Sequence, residues 1–370
     1  MIANAMPSTA ARALDRLARK TAREAGLRYV EPELGENPRG LRRVRQGKDF
    51  RYLDASGRPC NAITVKRIRA LAIPPAWEDV WIATDSNAHI QATGRDARGR
   101  KQYRYHPRWR SARDTSKYEK MVRFAQALPK VRESVRRLLV QKKPSRERLL
   151  ALMVLIMEQT HIRVGNEEYA RANGSFGLTT LRRRHVRIEG TMLSFRFRGK
   201  SGVERDLRLR DRRIVRLLQE AAPRKRDSEH LFRYADESGR LHRVRSQDVN
   251  AFLRQVSGHD ITAKDFRTWA ATVLAARVLS TMNHDNVTGE KRNLVAAVRE
   301  VAQHLGNTPA VCRRSYIHPA IFDAYRDGSL RALRAATLAH SRSAAAFGLT
   351  EEEHCVRNLL RSHGVTVLAA

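Results

Sequence analysis

Cysteine is scarce. Cys60, Cys312 and Cys355 are the only three in 370 residues. They are odd in number, far apart and never spaced Cys-x-x-Cys. That argues against a disulfide framework and against a zinc site, and it fits a reducing compartment. Long apolar runs are missing too: none approaches the roughly 20 residues a membrane-spanning helix needs. Acidic residues are few, 38 against 72 lysines and arginines, and they form no carboxylate cluster of the kind that holds Mg²⁺. No metal, no cofactor and no membrane span are therefore expected. Residues 1–26 are rich in Arg and Ala and lack a continuous apolar core. They read as a loosely held basic helical extension rather than a signal peptide.

The charge excess gives the first positive statement. A net charge of +34 is self-repulsive in a compact state and calls for a polyanionic partner. Nucleic acid is the favoured partner and an anionic membrane surface the weaker alternative. The hydrophobic fraction of 42% is ample for real cores, and the length suits two or three domains.

Texture divides the chain. From 27 to 106 it reads as a small β domain. Short strands are expected at 41–45, 50–53, 80–82, 89–92 and 102–105, with one short helix at 64–72 ended by Pro74-Pro75. A linker is expected at 107–114. From 115 to 370 the pattern is mainly helical. Apolar spacing of three and four residues marks helices at 118–128, 131–140 and 146–158, and the run Leu149–Met157 should be a buried central helix. Strict alternation at 193–198 and 206–210 flanks the turn Gly199-Lys200-Ser201-Gly202, a hairpin that 185–188 would extend to three strands. Helices return at 213–221, 246–257, 264–282 and 291–305. The expected class is α+β: a small mainly-β N-terminal domain and a larger mainly-α domain containing a three-stranded sheet.

Residues 305–319 carry the best candidate for chemistry. Gly306 can close one helix in the left-handed conformation. Thr308 can cap the next, and Pro309 suits its first position. Tyr316 then stands beside Arg313 and Arg314, with the Asn307 amide shortly before it, as a nucleophile aimed at a phosphate would. Four other polar residues stand out. Arg163 follows the most apolar helix next to Gly165; it reads equally well as a phosphate ligand and as a cap for the last helical carbonyls. Lys200 sits at the hairpin tip, where a lysine is ordinarily solvated, although Gly199 and Gly202 allow close approach of another backbone. Arg267 lies near the start of a long apolar helix, where the dipole disfavours a cation. It therefore needs an anion, either Asp265 or a phosphate. Asn307 by itself reads as a turn residue.

Taken in order, Arg163, Lys200, Arg267, Asn307 and Tyr316 resemble the active-site series of the type IB DNA topoisomerases, of the small poxvirus-like bacterial branch. The nine-residue gap from Asn307 to Tyr316 matches the histidine-to-tyrosine gap of that family. The segment 91–103 resembles its N-terminal DNA-reading strand. One departure stands out: most relatives carry histidine where this chain has Asn307. An amide can donate a neutral hydrogen bond to a phosphate oxygen, but it cannot become a cation or relay a proton.

The resemblance implies transfer of a DNA phosphodiester to Tyr316, giving a 3′-phosphotyrosyl linkage and a free 5′-hydroxyl without ATP or metal. Arg163 and Arg267 would grip the phosphate. Lys200 would protonate the leaving oxygen. No general base is indicated. The two domains would close as a clamp on duplex DNA, with supercoiled DNA as the substrate. Gln102 and Tyr103, with Tyr105 beside them, are the candidates for base-edge contact. Arg95, Arg98, Arg100 and Lys101 would meet phosphate, and Tyr169 and Lys264 the backbone near the cut. A monomer in the cytoplasm, associated with the nucleoid, is expected. A tyrosine recombinase is the nearest rival, but it would carry histidine where Lys264 stands and a helical N-terminal domain. A non-catalytic architectural DNA-binding protein would account for the charge alone.

Overall fold

The computed structural model describes residues 9–31, 40–47, 49–221, 230–283, 286–340 and 348–368. Residues 1–8 of the expected basic extension lie outside them. The chain divides into two compact units, Met1–Lys117 and Tyr118–Ala370.

The first unit opens with α1 (Thr9–Glu24). Strands β1 (Leu41–Gln46), β2 (Asp49–Leu53), β3 (Glu78–Ile82), β4 (Ile90–Arg95) and β5 (Lys101–Tyr105) build one sheet, and α2 (Ala62–Ala70) lies between β2 and β3 in sequence. The strand order is β2-β1-β3-β4-β5 and every pairing is antiparallel. Leu41, Ile68, Val80, Ile82 and Ala92 form one small core, while Trp81, Ala83, Ala88 and Ile90 form another against Tyr103 and Tyr105. This is the small β domain expected from the alternating pattern.

The segment 107–114 is not a linker. It opens α3 (Pro107–Leu139), because Pro107 suits the first turn of a helix. Trp109 is buried in a cluster with Ala22 and Leu27. It stands edge-on to His89, their ring centroids 4.5 Å apart. The helix also runs through Pro129, where the sequence suggested a break between two helices. Proline removes one ladder hydrogen bond. Here Phe124, Ala125, Leu128, Val131, Val135 and Leu139 form a buried stripe on both sides of it, and that packing holds the helix together.

In the second unit α4 (Arg146–Thr160) is the buried central helix, with Leu149 through Val154, Ile156 and Met157 all buried. Helix α5 (Glu167–Asn173) follows, capped by the Asn166 side chain. Strands β6 (Val186–Glu189), β7 (Met192–Arg198) and β8 (Glu204–Arg210) form an antiparallel sheet in that order. Then come α6 (Arg212–Ala221), the small hairpin β9 (Arg233–Ala235) and β10 (Leu241–Arg243), α7 (Ser246–Ser257), α8 (Ala263–Ser280) and α9 (Val287–Leu305). The chain continues with α10 (Pro309–Ser315), α11 (Pro319–Arg326), α12 (Ser329–His340) and α13 (Glu351–Leu368). One continuous apolar core joins α3, α4, the three-stranded sheet and the helices from α6 onward.

Candidate active site

The site is built where two helices end. Helix α4 stops at His161, which adopts the left-handed conformation (φ 51°) and turns the chain toward Arg163. Helix α9 stops at Gly306, also left-handed (φ 59°), whose N–H reaches back to the Ala302 and Gln303 carbonyls. The Asn307 N–H bonds the Ala302 carbonyl at 2.9 Å, completing a glycine-based helix stop. Thr308 then caps α10 through the Val311 N–H, with Pro309 in the first turn. Tyr316 is the residue on which α10 ends.

Arg267 joins these ends. It sits in the second turn of α8, only 3% exposed. Asp265 is not its anion: that carboxylate accepts the Thr262 N–H and hydroxyl as a cap and lies 3.4 Å from Lys120. Arg267 instead donates to the His161 carbonyl and, at 2.9 Å, to the Leu305 carbonyl. Both acceptors belong to helix C-termini, which carry partial negative charge and unsatisfied oxygens. A buried guanidinium is thus held without a carboxylate, and its charge is left un-neutralised. Among the described residues its Nε has no hydrogen-bond partner. Burial, together with the nearby Arg163, pushes the Arg267 pKa down to about 10, so it remains a cation at neutral pH.

Arg163 donates an Nη hydrogen to the Asn307 Oδ1. That bond orients the amide and leaves its Nδ2 buried without a hydrogen-bond partner. Tyr316 is half-buried, with the Arg267 guanidinium carbon 5.5 Å from its ring centroid. Burial works to raise the phenol pKa, but the charges of Arg267 and Arg163 outweigh it, and the net shift is downward. The Thr272 hydroxyl of α8 fixes the backbone there. It lies 2.9 Å from the Thr268 carbonyl oxygen and 3.1 Å from that of Tyr316, and it accepts the His318 N–H at 3.2 Å. The tyrosine is therefore tied to the same helix that carries Arg267.

The structure brings Arg163, Arg267, Asn307 and Tyr316 together. Lys200 stays exposed at the tip between β7 and β8, where Ser201 is left-handed (φ 67°). Among the described residues it makes no hydrogen bond or ion pair. Arg313 and Arg314 are exposed, and Arg313 stacks on Phe322 at 5.1 Å, so neither is the arginine that surrounds the phenol. Tyr169 is half-buried on α5, its N–H capped by Asn166, and Lys264 is exposed in the first turn of α8.

Sequence reasoning passed over Arg205 and the pair His161–His304. Arg205 occupies an inward position of β8, in step with Leu207 and Leu209. The alternation that placed those leucines inside also placed this arginine inside, and that was the available signal. The two imidazoles meet at 2.9 Å. Burial, then the charges of His304 and Arg267, push His161 down to about 4.

In the first unit the candidate DNA-reading residues divide by face, because side chains alternate along a strand. Tyr103 and Tyr105 stack on one face, their centroids 5.9 Å apart. Gln102 points the other way and donates to Asp96 at 2.9 Å. Arg100 pairs with the same carboxylate at 2.7 Å, and its hydrogen bond holds Asp96 down at about 2. Arg95 is 3.5 Å from Asp79, whereas Arg98 and Lys101 are exposed.

Comparison with known proteins decides the family. The model of the eukaryotic DNA topoisomerase I catalytic core matches residues 106–340, a span that contains all five candidate residues from Arg163 to Tyr316. The chain belongs to the type IB DNA topoisomerases. The N-terminal domain model of bacterial DNA topoisomerase IB matches residues 49–96, from β2 to just past β4. DNA topoisomerase 1B of Acanthamoeba polyphaga mimivirus is 30% identical over 310 residues, covering 81% of this chain and 91% of the viral protein. DNA topoisomerase 1B of vaccinia virus (strain Copenhagen) is 21% identical over 254 residues, covering 68% and 76%. DNA topoisomerase 1 of rabbit fibroma virus is 23% identical over 277 residues, covering 71% and 82%. This type IB topoisomerase is thus an isomerase of DNA, joined to a bacterial-type N-terminal domain. No described helix is long and apolar enough to cross a membrane.

Proposed function

We propose that this topoisomerase relaxes supercoiled duplex DNA by cutting one strand through Tyr316 and resealing it, without ATP or metal. The carrying observation is a half-buried phenol beside two guanidiniums that, among the described residues, have no carboxylate partner, with two buried donors, Arg267 Nε and Asn307 Nδ2, making no hydrogen bond there. Buried donors left unpaired are costly, and a phosphodiester would satisfy both. In the forward step the Tyr316 oxygen loses its proton to solvent and forms an O–P bond. The P–O5′ bond breaks, and the departing oxygen takes a proton from Lys200 to leave as a hydroxyl. Arg163, Arg267 and Asn307 hold the non-bridging oxygens, where such donors are each worth about 10²–10³ in rate. The covalent bond conserves the energy of the phosphodiester, so attack by the 5′-hydroxyl reverses the step.

Lys200 is exposed at the hairpin tip, so its role requires that tip to meet DNA. Tyr169 and Lys264 would contact the backbone near the cut. Arg95, Arg98, Arg100 and Lys101 would contact phosphate from the N-terminal unit. Gln102 would read bases from one face of β5, with Tyr103 and Tyr105 on the other. A monomer suffices for this chemistry, since one tyrosine cuts one strand.

The test is plasmid relaxation in EDTA without ATP, with Tyr316→Phe alongside. Relaxation by the wild type and none by the variant is expected. Intact DNA binding with no relaxation at any salt would overturn the proposal.

A further inference from the structure

A third guanidinium, that of Arg205, lies close enough to Arg163 and Arg267 to act on them electrostatically. It projects inward from β8, opposite Phe197 of β7. Two glycines make its path. A Cβ on Gly199, the residue before Lys200, would stand 3.0 Å from the Arg205 Cγ. A Cβ on Gly306, the residue before Asn307, would stand 1.3 Å from its Nη1 and 2.3 Å from its Cζ. The stem thus crosses the base of the lysine hairpin, and the head meets the bare backbone of the asparagine turn with its Nη1 end. A Cβ on Gly306 would displace the head, and one on Gly199 would press on the stem.

The head belongs to the same electrostatic site. Burial, then the charge of Arg163, lowers its pKa, and Arg205 in turn weighs on Arg267 and His304. Among the described residues no carboxylate pairs with it. Three guanidiniums gathered without a counter-charge repel one another, and each is partly desolvated. Such an arrangement gains stability only when an anion enters it. The chain also lacks a cationic or protonatable side chain at 307, because an amide stays neutral.

We propose that Arg205 is a phosphate-contacting catalytic residue, supplying from β8 the positive charge on the non-bridging oxygens that Asn307 cannot supply. This rests on the Tyr316 reading above. The bonds made and broken are those already written, between the Tyr316 oxygen, phosphorus and O5′; Arg205 neither gains nor loses a proton. A guanidinium suits the task because its fixed fork can span two phosphate oxygens.

The test uses the full chain in single-turnover cleavage of a duplex built around a cut site first mapped on plasmid DNA. Arg205→Met keeps the stem and removes the charge. It should slow formation of the covalent adduct by about 10²-fold, and Arg205→Lys should lose less. The same duplex with a neutral methylphosphonate at the cut separates contact from packing. There the anionic oxygen is gone, so the Arg205→Met penalty should largely disappear.

Cleavage by Arg205→Met within about threefold of wild type would overturn the proposal. So would an equal loss on both duplexes, which would make Arg205 a support for the Asn307 turn. In either case a covalent adduct formed by wild type and absent from Tyr316→Phe leaves the Tyr316 reading standing. No adduct from wild type on any duplex would remove both. If Arg205→Met fails to fold, Arg205→Lys decides on the same pair of duplexes: a loss confined to the anionic one supports the contact, and an equal loss on both overturns it.

Discussion

Replacing Glu353 should destabilise the catalytic unit more than any other single change in its last helix. Glu353 sits in the first turn of α13 and is only 7% exposed. It accepts from Arg132 at 2.7 and 2.9 Å, from the Trp269 indole at 3.0 Å and from the Thr350 N–H at 2.8 Å. Arg132 also bonds Glu158 at 2.7 Å. One carboxylate thus links α13 to α3 and α8, two residues beyond Arg267. Removing one partner of a buried ion pair costs about 3–5 kcal/mol, because the other charge is left behind. Glu158 still faces Arg132, which places Glu353→Ala toward the lower end. The Trp269 and Thr350 donors, left unpaired, add to the loss. At about 2–4 °C per kcal/mol for a unit of this size, the Tm should fall by roughly 6–20 °C. Glu353→Gln keeps an oxygen for Trp269 and should lose less. The assay is thermal unfolding of the full chain followed at Trp fluorescence, with relaxation measured well below the transition. A Glu353→Ala Tm within 2 °C of wild type would refute the reasoning, since it would mean the network carries no net stability.

Arg267→Lys should lower the cleavage rate by about 10²–10³ and also reduce stability. A single ammonium cannot reach the His161 and Leu305 carbonyls and a phosphate together, and a buried unpaired carbonyl costs about 1–3 kcal/mol; retention of near wild-type cleavage in single turnover would count against it. The Tyr316 phenol is held below its ordinary value by Arg267 and Arg163 against the opposing effect of burial. Cleavage should therefore rise with pH and level off below the usual phenol range near ~10. Arg163→Gln should move that limb to higher pH, and an unmoved limb would show that Arg163 does not tune the phenol. Acid stability offers a further check. Glu353 is lowered overall, since Arg132 outweighs its burial, so its stabilisation is present above the unfolded pKa and lost as pH falls through the folded one. Glu158 is raised by burial despite Arg132, so it acts in the opposite sense over the acid range. Glu158→Gln removes that compensation, and its stability should fall more steeply than wild type below about pH 4.5; parallel curves would contradict the assignment.

How much of this could be read from residues alone depends on the kind of signal each part carries. The helix stop at Gly306, the cap at Thr308 and the hairpin at Gly199–Gly202 are local chemistry, legible because a left-handed turn or a first-turn proline is written in a few neighbouring residues. The Leu149–Met157 helix was legible from composition. The segment 107–114 misled because its polarity resembles a linker, while its one decisive residue, Trp109, acts through contacts with Ala22, Leu27 and His89 that lie far off in sequence. Helix α5 and the β9–β10 hairpin are short, and neither has enough turns to show a period.

The counter-charge of Arg267 shows the deeper limit. Sequence logic looked for an acidic side chain or a phosphate and found Asp265 two residues away. The fold instead uses backbone, turning the C-termini of α4 and α9 toward one guanidinium so that His161 and Leu305 serve as its acceptors. Backbone carbonyls are the same in every sequence, so no residue type announces them. Using them has a functional consequence. A carboxylate would neutralise Arg267 and compete with phosphate for its remaining donors, whereas two carbonyls hold the side chain in place and leave its charge and its Nε open to the anion of the proposed reaction. The buried Glu353 and the half-buried Glu158 are both bonded to Arg132, an arginine with a different task. Keeping carboxylates on the supporting arginine and carbonyls on the one beside Tyr316 lets a strongly basic enzyme lock its frame and still present an unneutralised cation beside that tyrosine.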